Sequence, residues 1–425
     1  MMERYLLKYF FDASESPLMR KWIDYLKVDL DGFIYAYGEN MRKDYPAPRD
    51  IDWRYYARII RAFLKSENAR KYVACNNNIL SFVPLSANIE SQFDINLLGS
   101  ILQPTGKKLI RSKNILRLYD FYSKLIRSND FNEILTNRNI DKLEIFKNIL
   151  ITEYSKYKFK GLFVGNGEPF MFKLHMDLFR ELGIPSFIFL HGLPGIYKLE
   201  TEKKADYLCV WGEQIKQNYV QAGFEPERVI VTGHKQYNVI PSFDVYKNNL
   251  DDVLVTTTSS VSWSPQGWNA ENFPLYDRSI LVLYCYSVQT VLKKTGVKHA
   301  RLRVHPSVNK KWIMEFVDKS FYSIDILPLV QSLNQSTLVI GPTTTVWLES
   351  FLNGVNYLVY EPELDGLSNN RVPPFDGSDK SLAIAKTEQD LYSMIKEKYI
   401  QSNDIIQRYI QPFDFSKVQA LLKNG

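Results

Sequence analysis

Short apolar runs alternate with amphipathic segments along most of this 425-residue chain. A short apolar run closed by turn residues is typical of a buried strand, whereas apolar residues spaced three and four apart are typical of a helix. A strand followed by a helix, repeated along the chain, predicts parallel sheets covered by helices on both faces. The predicted strands are Tyr5–Phe11, Phe33–Tyr37, Ile79–Val83, Gly161–Val164, Ser186–Leu190, Tyr207–Val210, Val229–Val231, Val253–Thr256, Arg301–Val304, Thr337–Ile340 and Tyr357–Tyr360. The predicted helices are Leu18–Leu26, Trp53–Leu64, Phe170–Leu182, Gln214–Ala222, Tyr276–Lys293, Lys310–Phe316, Val346–Asn353 and Leu391–Tyr399.

Two segments interrupt this alternation. Residues 103–150 have helical patterns, and Val239–Asp252 is polar and turn-rich, as a linker would be. We therefore predict an α/β fold of two Rossmann-like parallel-sheet domains, residues 1–245 and 246–425, which face each other across a cleft. The first domain is expected to carry a helical insertion at about 103–150, and the last helices to pack back on that domain. Because open parallel sheets bind ligands beyond the carboxyl ends of their strands, we look for function in the residues that follow strands.

The composition excludes several classes of protein. With 45% hydrophobic and 24% charged residues, the chain is neither disordered nor fibrous. The cysteines Cys75, Cys209 and Cys285 form no CxxC pair, which argues against a disulfide framework or a structural zinc site and favours a reducing cytoplasm. No apolar run reaches the roughly 18–20 residues of a membrane span, so a soluble or peripheral protein is expected. A net charge of +6 is mild and does not by itself indicate nucleic acid.

In the second half, the predicted strand Arg301–Val304 is followed directly by His305 and Pro306. At a strand end, an imidazole can pair with a phosphate or transfer a proton, and the proline stiffens the turn that follows. A histidine that only packs in the core or caps a helix is the alternative interpretation. The position after a strand favours the functional one.

Residues 337–360 carry the most informative pattern of the chain. A strand is followed by Gly341 and Pro342, and then by Thr343–Thr345 at the start of a helix that contains Glu349. Glycine permits close approach to the backbone, and hydroxyl and N–H groups at a helix start favour an anion. This pattern predicts a phosphate or diphosphate site. Helix capping is the alternative, but one threonine would suffice for that.

In the first half, the strand Gly161–Val164 leads through a glycine turn to Glu168. The third glycine of the GxGxxG fingerprint is replaced by Phe170, so a dinucleotide site is not predicted here. Glu168 is either a favourable charge at a helix start or a carboxylate that can remove a proton. Further strand ends carry His191 and the triplet Gly233, His234 and Lys235.

Residues 107–127 form a basic segment in which seven basic side chains and one acid, Asp120, accompany an apolar stripe. One interpretation is a solvated helix face, and the other is a docking surface for anionic lipid headgroups or a negatively charged polysaccharide. Nucleic acid is not expected as a partner, because the chain shows no recognised nucleic-acid module. The basic residues are Lys107, Lys108, Arg111, Lys113, Arg117, Lys124 and Arg127.

Over about residues 160–365 these motifs resemble a GT-B glycosyltransferase. The run ADYLCVWGEQIKQNYVQAGFEPERVIVTGHKQYN at 205–238 is similar to the end of the acceptor domain in that fold. His305-Pro306 and GPTTT at 341–345 resemble the His-Pro and Ser/Thr motifs of bacterial transferases that use CMP-activated sugars, such as sialyl- and Kdo transferases. CDP-glycerol transferases of teichoic acid synthesis are similar in the same places. The sequence Asp29-Leu30-Asp31-Gly32 only loosely matches the acidic motif of several sialyltransferases.

The resemblance implies transfer of a sugar from a nucleotide-activated donor, favoured as a CMP-linked acidic sugar, to a bacterial surface glycan or lipooligosaccharide. It implies that His305 contacts the donor phosphate and protonates the leaving group, that Thr343–Thr345 hold the phosphate, and that Glu349 lies near the ribose. Glu168 is expected to activate the acceptor hydroxyl, with His191 as the rival. The remaining candidates for nucleotide binding are Gly233, His234, Lys235, Pro306, Gly341 and Pro342.

The expected enzyme is cytoplasmic, with peripheral binding to the inner face of the membrane as an option, and it needs no cofactor. Asp29/Asp31 and Asp50/Asp52 have the DxD spacing of GT-A metal sites, but without a GT-A-like context no metal is expected. The open alternatives are a UDP- or GDP-hexose transferase, a CDP-glycerol-type phosphotransferase, a sugar-nucleotide 2-epimerase, and a binding protein without turnover. An epimerase would need no acceptor.

Overall fold

The structure, a computed structural model, describes residues 14–38, 57, 60–61, 63–64, 77–83, 96–100, 108–125, 131–194, 197, 199–235, 244–257, 279–305, 308, 310–362, 372–402 and 404–424. The chain divides into two compact units. The first lies within residues 1–191, 198–238 and 412–425, and the second within residues 192–197 and 239–411. Among the described residues, no helix has the length and apolar character that crossing a membrane requires.

The first unit contains a seven-stranded sheet. Its strands are β1 Asn78–Ser81, β2 Asn96–Ser100, β3 Lys108–Ile110, β4 Phe159–Val164, β5 Ser186–Phe189, β6 Tyr207–Val210 and β7 Val229–Val231. They are ordered β3-β2-β1-β4-β5-β6-β7, and each pairs with its neighbours in parallel. This is the doubly wound Rossmann order, in which the winding direction reverses between β1 and β4.

Helices connect and cover these strands. They are α1 Pro17–Gly38, α2 Lys113–Leu125, α3 Phe131–Ile134, α4 Asn137–Tyr154, α5 Phe170–Glu181, α6 Leu199–Glu202 and α7 Glu213–Gln221, and a short 3-10 turn at Pro226–Arg228 precedes β7. Helix α5 follows β4 directly and packs against β4, β5 and α1. The reversal point is therefore next to the start of α5.

The second unit repeats the same winding with six parallel strands. They are β8 Val253–Thr256, β9 Ala300–Arg303, β10 Tyr322–Ile324, β11 Leu338–Gly341, β12 Tyr357–Tyr360 and β13 Ile384–Ala385, ordered β10-β9-β8-β11-β12-β13. The helices are α8 Ser279–Lys294, α9 Lys310–Phe316, α10 Leu329–Gln335, α11 Val346–Leu352, α12 Glu388–Lys396 and α13 Asp404–Tyr409. Here the winding reverses between β8 and β11.

The last helix, α14 Ser416–Asn424, belongs to the first unit. Its residues Val418 and Leu422 join a buried cluster with Phe163 of β4. Gly161 of β4 gives room for this packing, because a Cβ there would lie 2.6 Å from a methyl group of Leu422, which would have to shift. Burial of this apolar face stabilises the short helix, which would be marginal in isolation.

The prediction of two Rossmann-like parallel-sheet domains is confirmed. The predicted strand Phe33–Tyr37 is wrong, since these residues continue α1, whose Trp22 and Leu26 are buried. Tertiary packing of a long helix outweighs the strand propensity of a short aromatic run. The helical insertion at 103–150 is wrong at its start, because Lys108–Ile110 pairs with β2 as an edge strand. The predicted strand Tyr5–Phe11 and most of the predicted helix Trp53–Leu64 lie outside the described residues.

Candidate functional site

The hydroxyl of Tyr357 organises the carboxyl ends of the second sheet at its reversal point. It donates to the carbonyl oxygen of Pro342 over 2.6 Å. A phenol has one proton, so the hydroxyls of Thr256 (3.2 Å) and Thr344 (3.4 Å) are the donors in the other two contacts. Burial raises the pKa of Tyr357, which keeps the phenol neutral. This hydroxyl network ties the end of β8 to the loop that follows β11.

Gly341 makes that network possible. A Cβ at this position would collide with the hydroxyl of Thr256 and with the ring and hydroxyl of Tyr357. The prediction that Gly341 permits a close approach to the backbone thus has a specific partner, the Tyr357 hydroxyl. Any side chain at this position would displace either the loop or the hydroxyls of Thr256 and Tyr357.

The three threonines make different contacts. The N–H and the hydroxyl of Thr343 both donate to Oε1 of Glu361, which follows β12. Thr344 bonds to Tyr357, and Thr345, at the N-cap of α11, makes no side-chain capping bond. Helix capping therefore does not account for this run of hydroxyls. The Thr343 donors are engaged by a carboxylate and the Thr344 hydroxyl donates to Tyr357, which leaves the Thr345 hydroxyl as the better candidate for an anion.

His305 lies at the end of the neighbouring strand, β9. Its N–H donates to the hydroxyl of Thr257 over 3.2 Å, and the N–H of Thr257 donates to the carbonyl oxygen of Arg303 over 3.2 Å. The imidazole is half-buried, and burial lowers its pKa below the usual 6.5. His305 is therefore mostly neutral near pH 7 and can both accept and donate a proton.

Glu349 lies one turn into α11 and is partly buried, which raises its pKa, while the charge of Arg303 opposes this shift. Arg303 itself is bound to Asp325 over 2.7 Å. The structure thus places Glu349 near the end of β9, where His305 also lies. Pro306, the partner of His305 in the predicted motif, is outside the described residues.

In the first unit, the turn after β4 contains Glu168 and contacts His191. The N–H of Glu168 donates to the side-chain oxygen of Asn166 over 3.2 Å, and Glu168 is half-buried. The exposed His191 has its Nδ1 3.2 Å from the carbonyl oxygen of Gly165. Because a carbonyl only accepts, Nδ1 carries the proton and Nε2 is the basic nitrogen. The two rival candidates for acceptor activation thus share one turn.

Asp29 of α1 joins this turn from a distant part of the chain. Its carboxylate accepts a hydrogen bond from the N–H of Phe170, the first residue of α5, over 2.7 Å. Burial raises the pKa of Asp29, the charge of Lys173 opposes the rise, and the charge of Glu168 adds to it. Tyr122 of α2 stacks on the Phe170 ring, with 4.3 Å between centroids. The side chain of Asp31 and residues Asp50 and Asp52 are not described.

The triplet after β7 is mainly buried. Gly233 has a φ of 73°, which a glycine adopts readily, and His234 packs edge-on against Trp211 with 4.2 Å between centroids. Burial lowers the pKa of His234 to about 4 and also lowers that of Lys235. These three residues belong to the first unit, whereas His305 and the threonines belong to the second.

Sequence reasoning missed Asp29 as a neighbour of Glu168, and it missed Thr256, Thr257, Tyr357 and Glu361 altogether. Thr256 and Tyr357 lie within predicted strands, where threonine and tyrosine are common. The available signal was the occurrence of polar residues at the carboxyl ends of β8 and β12. Among the described residues, no group of three or more His, Cys, Asp and Glu side chains is placed to hold a metal ion.

The described part of the basic segment lies mostly on α2. Lys113, Arg117 and Lys124 are exposed on one face, where Lys124 forms an ion pair with Asp120 over 2.7 Å. The opposite face is buried through Ile115 and Leu118. The amphipathic pattern predicted from the sequence is thus present, and no contact of the described residues decides between a solvated and a docking face.

No family model and no curated protein matches the chain. Several solved structures are similar to the chain at low sequence identity. UDP-GlcNAc 2-epimerase from Neisseria meningitidis is 14% identical with a TM-score of 0.47, over 82% of this chain and 100% of that one. The Methanocaldococcus jannaschii UDP-GlcNAc 2-epimerase is 14% identical with a TM-score of 0.48, over 82% and 99%. The wall teichoic acid polymerase TagF is 11% identical with a TM-score of 0.43, over 88% and 96%. Similarity at this level assigns neither a substrate nor an activity to this chain.

Proposed function

We propose that this protein is a GT-B-type glycosyltransferase that binds the phosphate of a nucleotide-activated sugar at the reversal point of the second sheet. The observation that carries the proposal is the loop 342–345, which the Tyr357 hydroxyl holds against the end of β8 beside His305. Open parallel sheets bind ligands at this point of their topology. Glycosyl transfer needs a preorganised group of donors that stabilises the departing phosphate.

The residues of this loop are suited to different parts of that task. The hydroxyl of Thr345, which makes no capping bond, is the proposed donor for a phosphate oxygen. His305 is neutral at rest because it is partly buried, and a bound phosphate would favour its protonated form. The histidine would then donate that proton to the leaving phosphate. The Glu349 carboxylate would accept a hydrogen bond from a ribose hydroxyl.

Acceptor activation is assigned to the first unit. Glu168 is the proposed general base, because its carboxylate follows β4 at the reversal point of the first sheet and is only half-buried. His191, with Nε2 as its basic nitrogen, is the alternative base. The resemblance of the His-Pro and threonine motifs favours a CMP-linked acidic sugar as donor and a bacterial surface glycan or glycolipid as acceptor.

The test is a transfer assay with CMP-, UDP- and GDP-sugars and a panel of glycan acceptors, performed on the wild type and on His305→Ala. We expect transfer from a CMP-sugar and a loss of roughly 100-fold or more in the variant. His299→Ala is the matched control, because His299 is an exposed histidine of the same unit. Unchanged turnover in His305→Ala would refute the assignment. Conversion of a UDP-sugar without any acceptor would instead identify an epimerase.

A further inference from the structure

Helix α5 begins without a capping side chain of its own. Its N-cap residue is Pro169, whose side chain makes no hydrogen bond. The N–H of the next residue, Phe170, needs an acceptor because the first N–H groups of a helix have no partner within it. Asp29 supplies that acceptor from α1, 141 positions away in sequence, over 2.7 Å.

The same bond restrains Glu168, which precedes Phe170 by two residues. On its other side, the N–H of Glu168 is bonded to the side chain of Asn166 over 3.2 Å. The short segment that carries the Glu168 carboxylate is therefore tied down at both ends. Helix α1 is in turn anchored to α5, since Nζ of the buried Lys173 donates to the carbonyl oxygen of Asp24 over 2.8 Å.

We propose that Asp29 is a positioning residue for Glu168: by holding the Phe170 N–H, it fixes the turn from which the Glu168 carboxylate reaches the acceptor hydroxyl. This inference rests on the proposed role of Glu168 as general base. A misplacement of about 1 Å at a catalytic group can cost roughly 100-fold in rate. The groups that face Asp29 are Glu168, Lys173 and Tyr122.

Two substitutions separate positioning from proton transfer. In Asp29→Asn the amide oxygen still accepts the Phe170 N–H, but the side chain is no longer a base. In Asp29→Ala the acceptor is gone. The matched control is Asp24→Asn on the same helix, which removes the ion pair with Lys204 and leaves the Phe170 contact in place.

Transfer kinetics are one arm of the experiment. We expect kcat of Asp29→Ala to fall roughly 10- to 100-fold with an unchanged KM for the donor. We expect Asp29→Asn and Asp24→Asn to stay within about threefold of the wild type. Unchanged kcat in Asp29→Ala overturns the inference. Loss of kcat in Asp29→Asn equal to that in Asp29→Ala also overturns it, because the charge itself would then be needed.

Amide hydrogen exchange of peptides covering residues 166–172 is the second arm, and it requires no activity. We expect exchange to accelerate roughly fivefold to tenfold in Asp29→Ala and to remain near wild type in Asp29→Asn. If the wild type transfers no sugar, the proposed function fails. The positioning inference fails separately if exchange in this segment is the same in Asp29→Ala and the wild type.

Discussion

The hydroxyl of Tyr357 donates to the carbonyl oxygen of Pro342 over 2.6 Å, and this bond fixes the loop that starts at Gly341. Tyr357→Phe removes the bond and leaves a buried carbonyl oxygen without that donor. We expect the free energy of unfolding to fall by about 1–2 kcal/mol and nucleotide affinity to fall roughly tenfold. Thermal denaturation and calorimetric titration with the donor nucleotide measure the two effects.

Tyr360→Phe is the matched control for that substitution. Tyr360 lies on the same strand, but its hydroxyl is 2.5 Å from Oγ of Ser287 rather than near the loop. We expect Tyr360→Phe to lower the free energy of unfolding and to leave nucleotide affinity unchanged. Equal nucleotide affinity in wild type and Tyr357→Phe would contradict the role given to this bond.

Gly341→Ala tests the packing of the same loop. The added Cβ would overlap the Tyr357 hydroxyl and the Thr256 hydroxyl, so either the loop or these two side chains must move and the hydrogen bonds between them are disturbed. We expect a loss of about 1–3 kcal/mol in the free energy of unfolding together with weaker nucleotide binding. Gly165→Ala, where the Cβ would meet only a methyl group of Val83 at 3.9 Å, should cost much less stability. Similar melting temperatures for the two variants would refute this explanation.

His175 gives the stability of the first unit a defined pH dependence. The ring is fully buried, donates through Nδ1 to the carbonyl oxygen of Met171 (2.7 Å), and accepts from the hydroxyl of Tyr154 (2.9 Å). Burial lowers its pKa from 6.5 to about 4. As the pH falls, the unfolded chain therefore binds a proton before the folded protein does. The contribution of neutral His175 to stability is fully present above pH 6.5 and is lost progressively between pH 6.5 and about pH 4.

This loss has a measurable slope. We expect the free energy of unfolding of the wild type to fall by about 1.4 kcal/mol per pH unit because of His175, as the pH falls from about 6.5. The difference in free energy of unfolding between wild type and His175→Gln should narrow by the same amount per pH unit. Melting temperatures at several pH values measure it. The exposed His299→Gln should follow the wild type throughout. A difference between wild type and His175→Gln that does not change with pH would show that His175 is not held neutral.

Asp29 has the opposite pH behaviour. Burial raises the pKa of Asp29 above 3.8. As the pH rises, the unfolded chain therefore releases this proton before the folded protein does, and the free energy of unfolding decreases. Asp29→Asn avoids this cost and still accepts the Phe170 N–H. We expect its melting temperature to exceed that of the wild type at pH 7, with an advantage that shrinks toward pH 4. An advantage of constant size would exclude the charge as its cause.

The sequence predicts what depends on local pattern. Alternation of apolar runs and helical segments predicted nine of the thirteen strands that the structure describes and missed β2, β3, β10 and β13. Polar residues after strands provided His305, Glu168 and the threonine run as candidates. The sequence alone could not predict contacts between distant segments, such as the hydrogen bond between Asp29 and Phe170. Nor could it show that Thr343 is bonded to Glu361, because the distribution of donors within a loop depends on its three-dimensional path. The aromatic run at 33–37 was mistaken for a strand because packing of α1 as a whole decides its state.

The most direct test of the account is a thermal stability assay with CMP, CDP, UDP and GDP at millimolar concentration, on the wild type and on Thr345→Val. Thr345 makes no capping bond, so this substitution of equal size removes a hydroxyl without removing a cap. A ligand at about 100 times its dissociation constant adds about 2.7 kcal/mol of stability. We expect CMP to stabilise the wild type and to stabilise Thr345→Val less, while the exposed Thr290→Val behaves as the wild type. No stabilisation by any of the four nucleotides, or equal stabilisation of wild type and Thr345→Val, would contradict a nucleotide-sugar site at this loop.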